Sequence, residues 1–147
     1  MINERTELRR KVQRLLRENY PMRKEQMAIL PERIATEKAR LTAIRSSSAE
    51  STGGSGGNDR QERDTAIIVL IGQLKKELTA AKMDAATIER ILGTLTERER
   101  ICVEQFDLNQ QPGAVERLCE ILHCERATVY DVYNTARDKI AKLYWGQ

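Results

Sequence analysis

Aromatic side chains are scarce in this 147-residue chain: they make up 4% of it, whereas charged residues make up 32%. Alternating β-branched residues are also absent, so the composition favours an all-α, surface-rich protein over a sandwich or barrel. No apolar run approaches the roughly 18 residues that a membrane-spanning helix needs. The first residues, 1–5, lack the apolar core of a signal segment, which predicts a cytoplasmic protein without membrane attachment.

Side chains suited to catalysis are few as well. The chain has one histidine, His123, and no serine or cysteine stands near it in a pattern typical of an activated nucleophile. Glycines cluster only within residues 46–58, without the lysine and flanking strand of a phosphate-binding loop. The sequence therefore predicts a protein that is not an enzyme and carries no cofactor.

The three cysteines are Cys102, Cys119 and Cys124. An odd number without a C-x-x-C pair fits a reducing compartment. Cys119, His123 and Cys124 bunch together as potential zinc ligands, but no second pair of ligands stands elsewhere. Small core side chains are the better interpretation of these cysteines, and we predict no metal site.

Residues 96–147 carry the clearest helical pattern. Thr96 with Glu99 forms a capping box, in which each side chain bonds a free N–H of the first helical turn. Pro112 and Gly113 stop any continuation of that helix. Its candidate inward residues are Ile101, Val103 and Phe106.

Two more helices follow, separated by the three residues 123–125. The apolar residues of the first recur at i, i+3, i+4 and i+7, namely Val115, Leu118, Cys119 and Leu122. The second carries a longer stripe of Val129, Val132, Tyr133, Ala136, Ile140, Leu143 and Tyr144. The spacing is typical both of a helix-turn-helix, whose second helix enters a DNA major groove, and of an ordinary helical hairpin.

Particular residues within 96–143 resemble region four of bacterial sigma factors. Residues 95–100 are similar to its L-T-x-R-E-R opening, 118–122 to its I-A-E-x-L segment, 127–130 to its T-V-x core and 136–140 to its A-R-x-K-L ending. The complete chain is similar to phage late-gene transcription regulators of the ArpU/RinA type. This resemblance implies a DNA-binding regulator, most simply an activator of late genes in a phage or prophage, that also contacts host RNA polymerase.

Several positions depart from the family pattern. His123 replaces the turn glycine, Glu125 replaces the serine or threonine N-cap, and Ala114 replaces the serine cap of the preceding helix. Asp131 stands where a basic residue is usual, and an acid facing the groove repels phosphate. Glu125 can still interact favourably with the positive end of the helix dipole.

The resemblance places double-stranded DNA against the last helix. Thr128 and Tyr130 would donate to phosphates, Asn134 would pair with adenine, and Arg126 or Arg137 would reach guanine or phosphate. These five residues are the predicted DNA-binding set. Taken singly, an ordinary surface role competes with base reading for each of them.

Residues 4–19 predict a basic amphipathic helix that Pro21 ends. Its apolar side holds Leu8, Val12, Leu15 and Leu16, and its arginines include Arg9, Arg10, Arg14 and Arg17. These four arginines are candidate contacts to a nucleic-acid backbone. A plain solvated face is an equally good interpretation of the charge run.

A second helical stretch, residues 22–45, has a coiled-coil-like seam of Met27, Leu30, Ile34, Leu41 and Ile44, with a boundary or kink expected at Pro31. Residues 46–58 are rich in serine and glycine and predict a flexible linker. Residues 59–95 predict a helix that pairs antiparallel with residues 22–45, followed by a short helix capped by Asp84 and packed toward both parts. The result is a four-part organisation: 1–45, 46–58, 59–95 and the helix-turn-helix domain 96–147.

The positive charge lies in the N-terminal part of the chain and not in the helix-turn-helix, which disfavours DNA binding by the helix-turn-helix alone. Residues 1–45 hold 12 Lys+Arg against 6 Asp+Glu, whereas residues 96–147 hold 7 against 9. Phosphate neutralisation supplies much of the affinity for DNA, so the last helix needs help from the basic N-terminal helix or from a homodimer. The acid excess keeps a second hypothesis open: a protein-interaction module or a DNA-packaging component similar to a small terminase subunit, whose helix-turn-helix reads no promoter.

Overall fold

The computed structural model describes residues 3–50 and 57–146, with side chains over 3–46 and 59–146. These residues form helices and connecting turns without a strand, which confirms the all-α prediction. Within them, no helix is both long and apolar enough to cross a membrane. The helices are α1 (Glu4–Arg14), α2 (Tyr20–Glu50), α3 (Gly57–Gly93), α4 (Glu97–Val103), α5 (Ala114–Leu122) and α6 (Arg126–Trp145), with π-helical segments at Leu15–Asn19 and Glu104–Leu108.

The chain divides into two compact units. The first unit combines Met1–Met22 with Asp84–Gln147, and the hairpin unit comprises Arg23–Met83. This division differs from the four parts expected from composition, because α1 belongs with the C-terminal helices and packs on α6. The basic N-terminal helix and the helix-turn-helix residues are therefore parts of one unit.

The hairpin unit is built by the apolar faces of α2 and α3. Its buried cluster consists of Leu30 and Ile34 from α2 with Ile67, Ile71 and Leu74 from α3. Arg45 near the end of α2 pairs with Asp64 near the start of α3, at 3.3 Å between Nε and Oδ1, so the two helices run antiparallel. Of the predicted linker, residues 46–50 and 57–58 are helical, and 51–56 lie outside the described residues.

Pro21 does not end a helix, contrary to the sequence prediction. The chain stays right-handed helical through Tyr20, where the backbone N–H donates to the carbonyl of Leu15 five residues earlier. This wide π-helical turn comes just before the proline, whose ring would otherwise press on the carbonyl of Arg17. Since Pro21 has no N–H for that carbonyl, Gln110 Nε2 donates to it instead, at 3.4 Å.

Two further helix boundaries expected from the sequence are absent. Helix α2 continues through Pro31, so no helix starts there, and the kink expected as the alternative stays a prediction. Helix α3 continues through Asp84, which is not an N-cap. The Asp84 carboxylate instead accepts a hydrogen bond from the Tyr144 hydroxyl at 2.6 Å, because the end of α6 lies beside it.

The core of the first unit draws apolar residues from five helices. Its most enclosed side chains include Val12, Leu15, Leu16, Ile88, Val103, Leu118, Val129 and Ile140. The predicted stripe of α6 is buried at Val129, Tyr133, Ala136 and Ile140, whereas Leu143 is exposed. One face of α6 is therefore packed inside the unit along most of its length.

Replacing Ile67 by alanine should destabilise the protein by about 2–4 kcal/mol, because the truncation leaves a cavity in the hairpin cluster. The adjacent Ile68→Ala should cost far less, since Ile68 is 48% exposed and Ile67 only 6%. Urea unfolding followed by circular dichroism measures both. Equal losses for the two variants would contradict the described packing of α2 on α3.

Candidate nucleic-acid interface

The turn between α5 and α6 is tight and left-handed. His123 ends α5 with φ 54° and ψ 49°, and the N–H of Cys124 donates to the carbonyl of Cys119 at 3.2 Å. Glycine adopts this conformation most easily, so the histidine here accepts some backbone strain. Glu125 then precedes α6 in an extended conformation, and its side chain makes no capping hydrogen bond to the helix.

Helix α4 begins with the predicted capping box. Thr96 Oγ1 accepts from the N–H of Glu99 at 3.2 Å, and Glu99 Oε1 accepts from the N–H of Thr96 at 2.9 Å. Lys139 Nζ on α6 also donates to Glu99 Oε1 at 2.9 Å. Burial alone would raise the pKa of Glu99, but the hydrogen bonds from Lys139 and Thr96 outweigh it and the pKa is lowered. The cap therefore also attaches α4 to α6.

The first two turns of α6 present three of the predicted DNA-binding residues to solvent. Arg126, Thr128 and Tyr130 are all exposed. Arg126 Nη1 lies 3.8 Å from Oε1 of Glu116, and both side chains are more than half exposed. Such a surface pair is worth little, so Arg126 is free to exchange this contact for another anion.

Tyr130 has a fixed ring and an accessible edge. Its ring stacks on Phe106 with the centroids 5.9 Å apart, and Phe106 stacks in turn on the buried Tyr133 at 4.4 Å. Tyr130 nevertheless remains 40% exposed. These three stacked rings form an aromatic column, which holds the Tyr130 side chain at the surface of the first unit.

Asn134 and Arg137, the other two predicted readers, bond to each other. Arg137 Nη2 donates to Asn134 Oδ1, and the Arg137 guanidinium lies 4.1 Å from the centroid of the Tyr133 ring. Burial lowers the pKa of Arg137, and its buried Nε has no hydrogen-bond partner among the described residues. Asn134 and Arg137 are therefore both half-buried and bonded to each other, and their roles in reading DNA stay predictions.

A buried carboxylate, Asp107, lies beneath this surface and was not identified from the sequence. Asp107 is 0% exposed, and the Tyr133 hydroxyl donates to its two oxygens at 2.7 and 2.9 Å. Arg17 Nε donates to it at 2.9 Å, and Gln13 Nε2 donates to the Tyr133 oxygen at 3.1 Å. Burial raises the pKa of Asp107, and the hydrogen bonds from Tyr133 and Arg17 offset this only in part. One sequence signal existed: Asp107 stands four residues after the inward Val103.

The four arginines predicted as backbone contacts fall into two pairs. Arg9 makes a bidentate ion pair with Asp138 of α6, with both N–O distances 2.9 Å, and Arg17 is bonded to Asp107. Arg10 and Arg14 are exposed on α1. Arg9 and Arg17 therefore hold the N-terminal helix on the C-terminal helices, whereas Arg10 and Arg14 face solvent.

Comparison of the chain with protein-family models, with curated proteins and with solved structures finds no match. The resemblance of residues 96–143 to sigma region four therefore stays a prediction.

Replacing Tyr133 by phenylalanine should lower the free energy of unfolding by about 1–3 kcal/mol, because the buried Asp107 carboxylate loses a donor to each oxygen. Tyr130→Phe is the matched control. It removes a hydroxyl from the same aromatic column, but that residue is exposed. Chemical denaturation compares the two variants, and equal stabilities would show that the Tyr133 hydroxyl contributes nothing to the network.

The Arg9–Asp138 pair should make the protein sensitive to acid. The hydrogen bond from Arg9 lowers the pKa of Asp138 below its ordinary value of 3.8, so the stabilisation is present above that pH and is lost as the pH falls through the lower folded-state value. Wild type should therefore melt above Asp138→Asn at pH 7, and the difference should shrink below about pH 4. Asp131→Asn, an exposed change on the same helix, should show no comparable trend in thermal melts across this pH range.

Proposed function

We propose that this protein is a DNA-binding transcription regulator whose helix α6 reads sequence in a major groove. One observation carries the proposal: α6 begins directly after a three-residue turn, and its first two turns expose Arg126, Thr128 and Tyr130 while the opposite face of the same helix is buried. A recognition helix needs this combination, because its N-terminal residues must reach base edges while its other face stays anchored.

The chemistry of the exposed residues fits this role. Arg126 can donate two parallel hydrogen bonds to the O6 and N7 acceptors of guanine, the commonest specific contact to a base. The hydroxyls of Thr128 and Tyr130 can donate to phosphates or bases.

The resemblance to phage late-gene regulators of the ArpU/RinA type gives the proposal its biological setting. On that basis the protein binds a promoter within a phage or prophage and activates late genes by contacting host RNA polymerase. A homodimer would place two copies of α6 on two half-sites of one duplex. Double-stranded DNA is the primary partner in this account.

A second candidate function is supported by charge. Residues 84–147 hold 8 Lys+Arg against 11 Asp+Glu, an acidic balance for the part of the chain that contains α5 and α6. A protein-docking or DNA-packaging component would tolerate this balance better than a promoter reader. The two functions differ in whether one DNA sequence is preferred over bulk DNA.

Selection from a random-sequence duplex library tests the proposal directly. The purified protein should enrich a defined motif, and the Arg126→Ala/Thr128→Ala double variant should lose the preference for that motif by roughly 10–100-fold. Salt-sensitive binding to random DNA should persist in the variant, because that binding rests on charge elsewhere.

Arg33→Ala is the control, since it removes an exposed arginine from the hairpin unit and should leave the preference intact. Enrichment of no motif by the wild-type protein, with binding equal on all duplexes, would remove the promoter-reading function. Loss of preference in the Arg33 control as well would show that the effect is one of general charge.

A further inference from the structure

We infer that Arg10 and Arg14 of α1 contact the phosphate backbone of the same duplex that α6 reads. This inference rests on the proposed function and deepens it, because it assigns the non-specific part of the affinity to a second surface. Both arginines belong to the unit that contains α6.

The polar side chains of α1 and the π-helical segment after it divide by helical position. Arg9, Gln13 and Arg17 recur every four residues and bond Asp138, Tyr133 and Asp107 in that order. Those side chains hold α1 against the C-terminal helices and are not available to a ligand without breaking internal contacts.

Arg10 and Arg14 point away from that packing. Each is two residues from the fully buried Val12, which places it about 200° around the helix, on the opposite face. Their side chains are exposed, one helical turn or roughly 6 Å apart along the axis. Among the described residues of the first unit, no packing contact requires a positive charge at these two positions.

The surface around these arginines continues to α6. A shallow depression of about 310 Å³ is lined by Arg10, Gln13, Arg14, Arg17 and Glu18. A second depression, of about 400 Å³, shares Arg17 with the first and includes Phe106 and Gln110.

Phe106 then stacks on the exposed Tyr130 of α6. The surface from Arg10 to Tyr130 is therefore lined by three arginines, of which Arg17 is bonded internally, by three glutamines and by an aromatic edge. Two carboxylates line these depressions, Glu18 the first and Glu116 the second.

The location of the positive charge within the first unit favours a polyanion on α1. Residues 1–22 hold 6 Lys+Arg against 3 Asp+Glu, which offsets the acid excess of residues 84–147 within the same unit. A helix that reads bases needs phosphate contacts nearby to fix its register on the duplex. Among the predicted four, Arg10 and Arg14 can supply them without breaking the ion pairs of Arg9 with Asp138 and of Arg17 with Asp107.

Phosphates fit these arginines better than base edges do. The depression is shallow and open, so a duplex would meet it with its outer surface. There each strand presents one phosphate for every 3.4 Å of the length of the helix axis. Two guanidiniums roughly 6 Å apart can engage neighbouring phosphates of one strand. The contact should therefore be independent of sequence.

The test measures affinity against salt concentration for wild type and for Arg10→Ala/Arg14→Ala. Two 30-base-pair duplexes serve as probes, one carrying the motif enriched by the wild-type protein and one of random sequence. The variant should weaken binding to both duplexes by the same factor and reduce the slope of log K against log salt by about 2. Its thermal melt should match wild type, because both side chains are exposed.

Lys75→Ala/Lys76→Ala is the matched control, because it removes the same charge from exposed positions of α3 in the hairpin unit. If both double variants lower the slope equally, or neither does, the assignment to α1 is overturned while the role of α6 stands. If the wild-type protein prefers no sequence but the α1 variant alone loses salt-sensitive binding, the phosphate surface stands and the promoter-reading function falls. Absence of any DNA binding by wild type overturns both.

Discussion

The first unit depends on the hydrogen bonds to the buried carboxylate of Asp107. Asp107 comes from a π-helical segment after α4 and is bonded by Tyr133 of α6 and by Arg17 of the π-helical segment after α1. Three separate parts of the chain therefore converge on one ionisable group in the interior. Such a group is costly to bury unless each oxygen has a donor, and loss of one donor leaves the charge uncompensated. The relative placement of α1, α4 and α6 is set by this requirement, because apolar contacts alone tolerate small shifts that a hydrogen-bonded carboxylate does not.

Both π-helical segments meet at this carboxylate, and each alters the direction of the side chains after it. A π turn adds one residue to a helical turn, so the residues beyond it rotate relative to a regular helix. In the second segment this brings Asp107 inward next to the half-buried Phe106. In the first segment the π turn brings Arg17 to Asp107, and it widens the helix just before Pro21. The irregular turns thus allow a polar pair to form inside helices whose remaining inward residues are apolar.

Features of the chain that depend on local sequence could be predicted, and those that depend on distant partners could not. The all-α class, the capping box at Thr96 and the apolar face of α6 follow from spacing within a few residues. The Arg17 carbonyl that Pro21 leaves without an N–H accepts a hydrogen bond from Gln110, 93 residues away, and the Arg17–Asp107 pair joins residues 90 apart. A single sequence shows which arginines and aspartates are present, but it does not show which arginine forms an ion pair with which carboxylate. For the same reason Arg126 and Arg137 read alike in the sequence, although one is exposed and the other half-buried beside Tyr133.

A basic helix is therefore not equivalent to a nucleic-acid footprint. Of the four arginines predicted to contact a nucleic-acid backbone, Arg9 and Arg17 form ion pairs with carboxylates of the C-terminal part of the chain, so their charge is neutralised within the protein. The net charge of a segment overestimates its attraction for phosphate by the number of such internal pairs. The C-terminal helices show the converse effect, because Asp107 and Asp138 count as acidic in the sequence but are neutralised in the fold. When these pairs are set aside, the acid excess around α6 is smaller than the sequence suggests, and the positive charge left on α1 is that of Arg10, Lys11 and Arg14 beside Arg5, opposed by Glu4, Glu7 and Glu18. Where those charges lie, rather than how many there are, decides whether a duplex on α6 also touches α1.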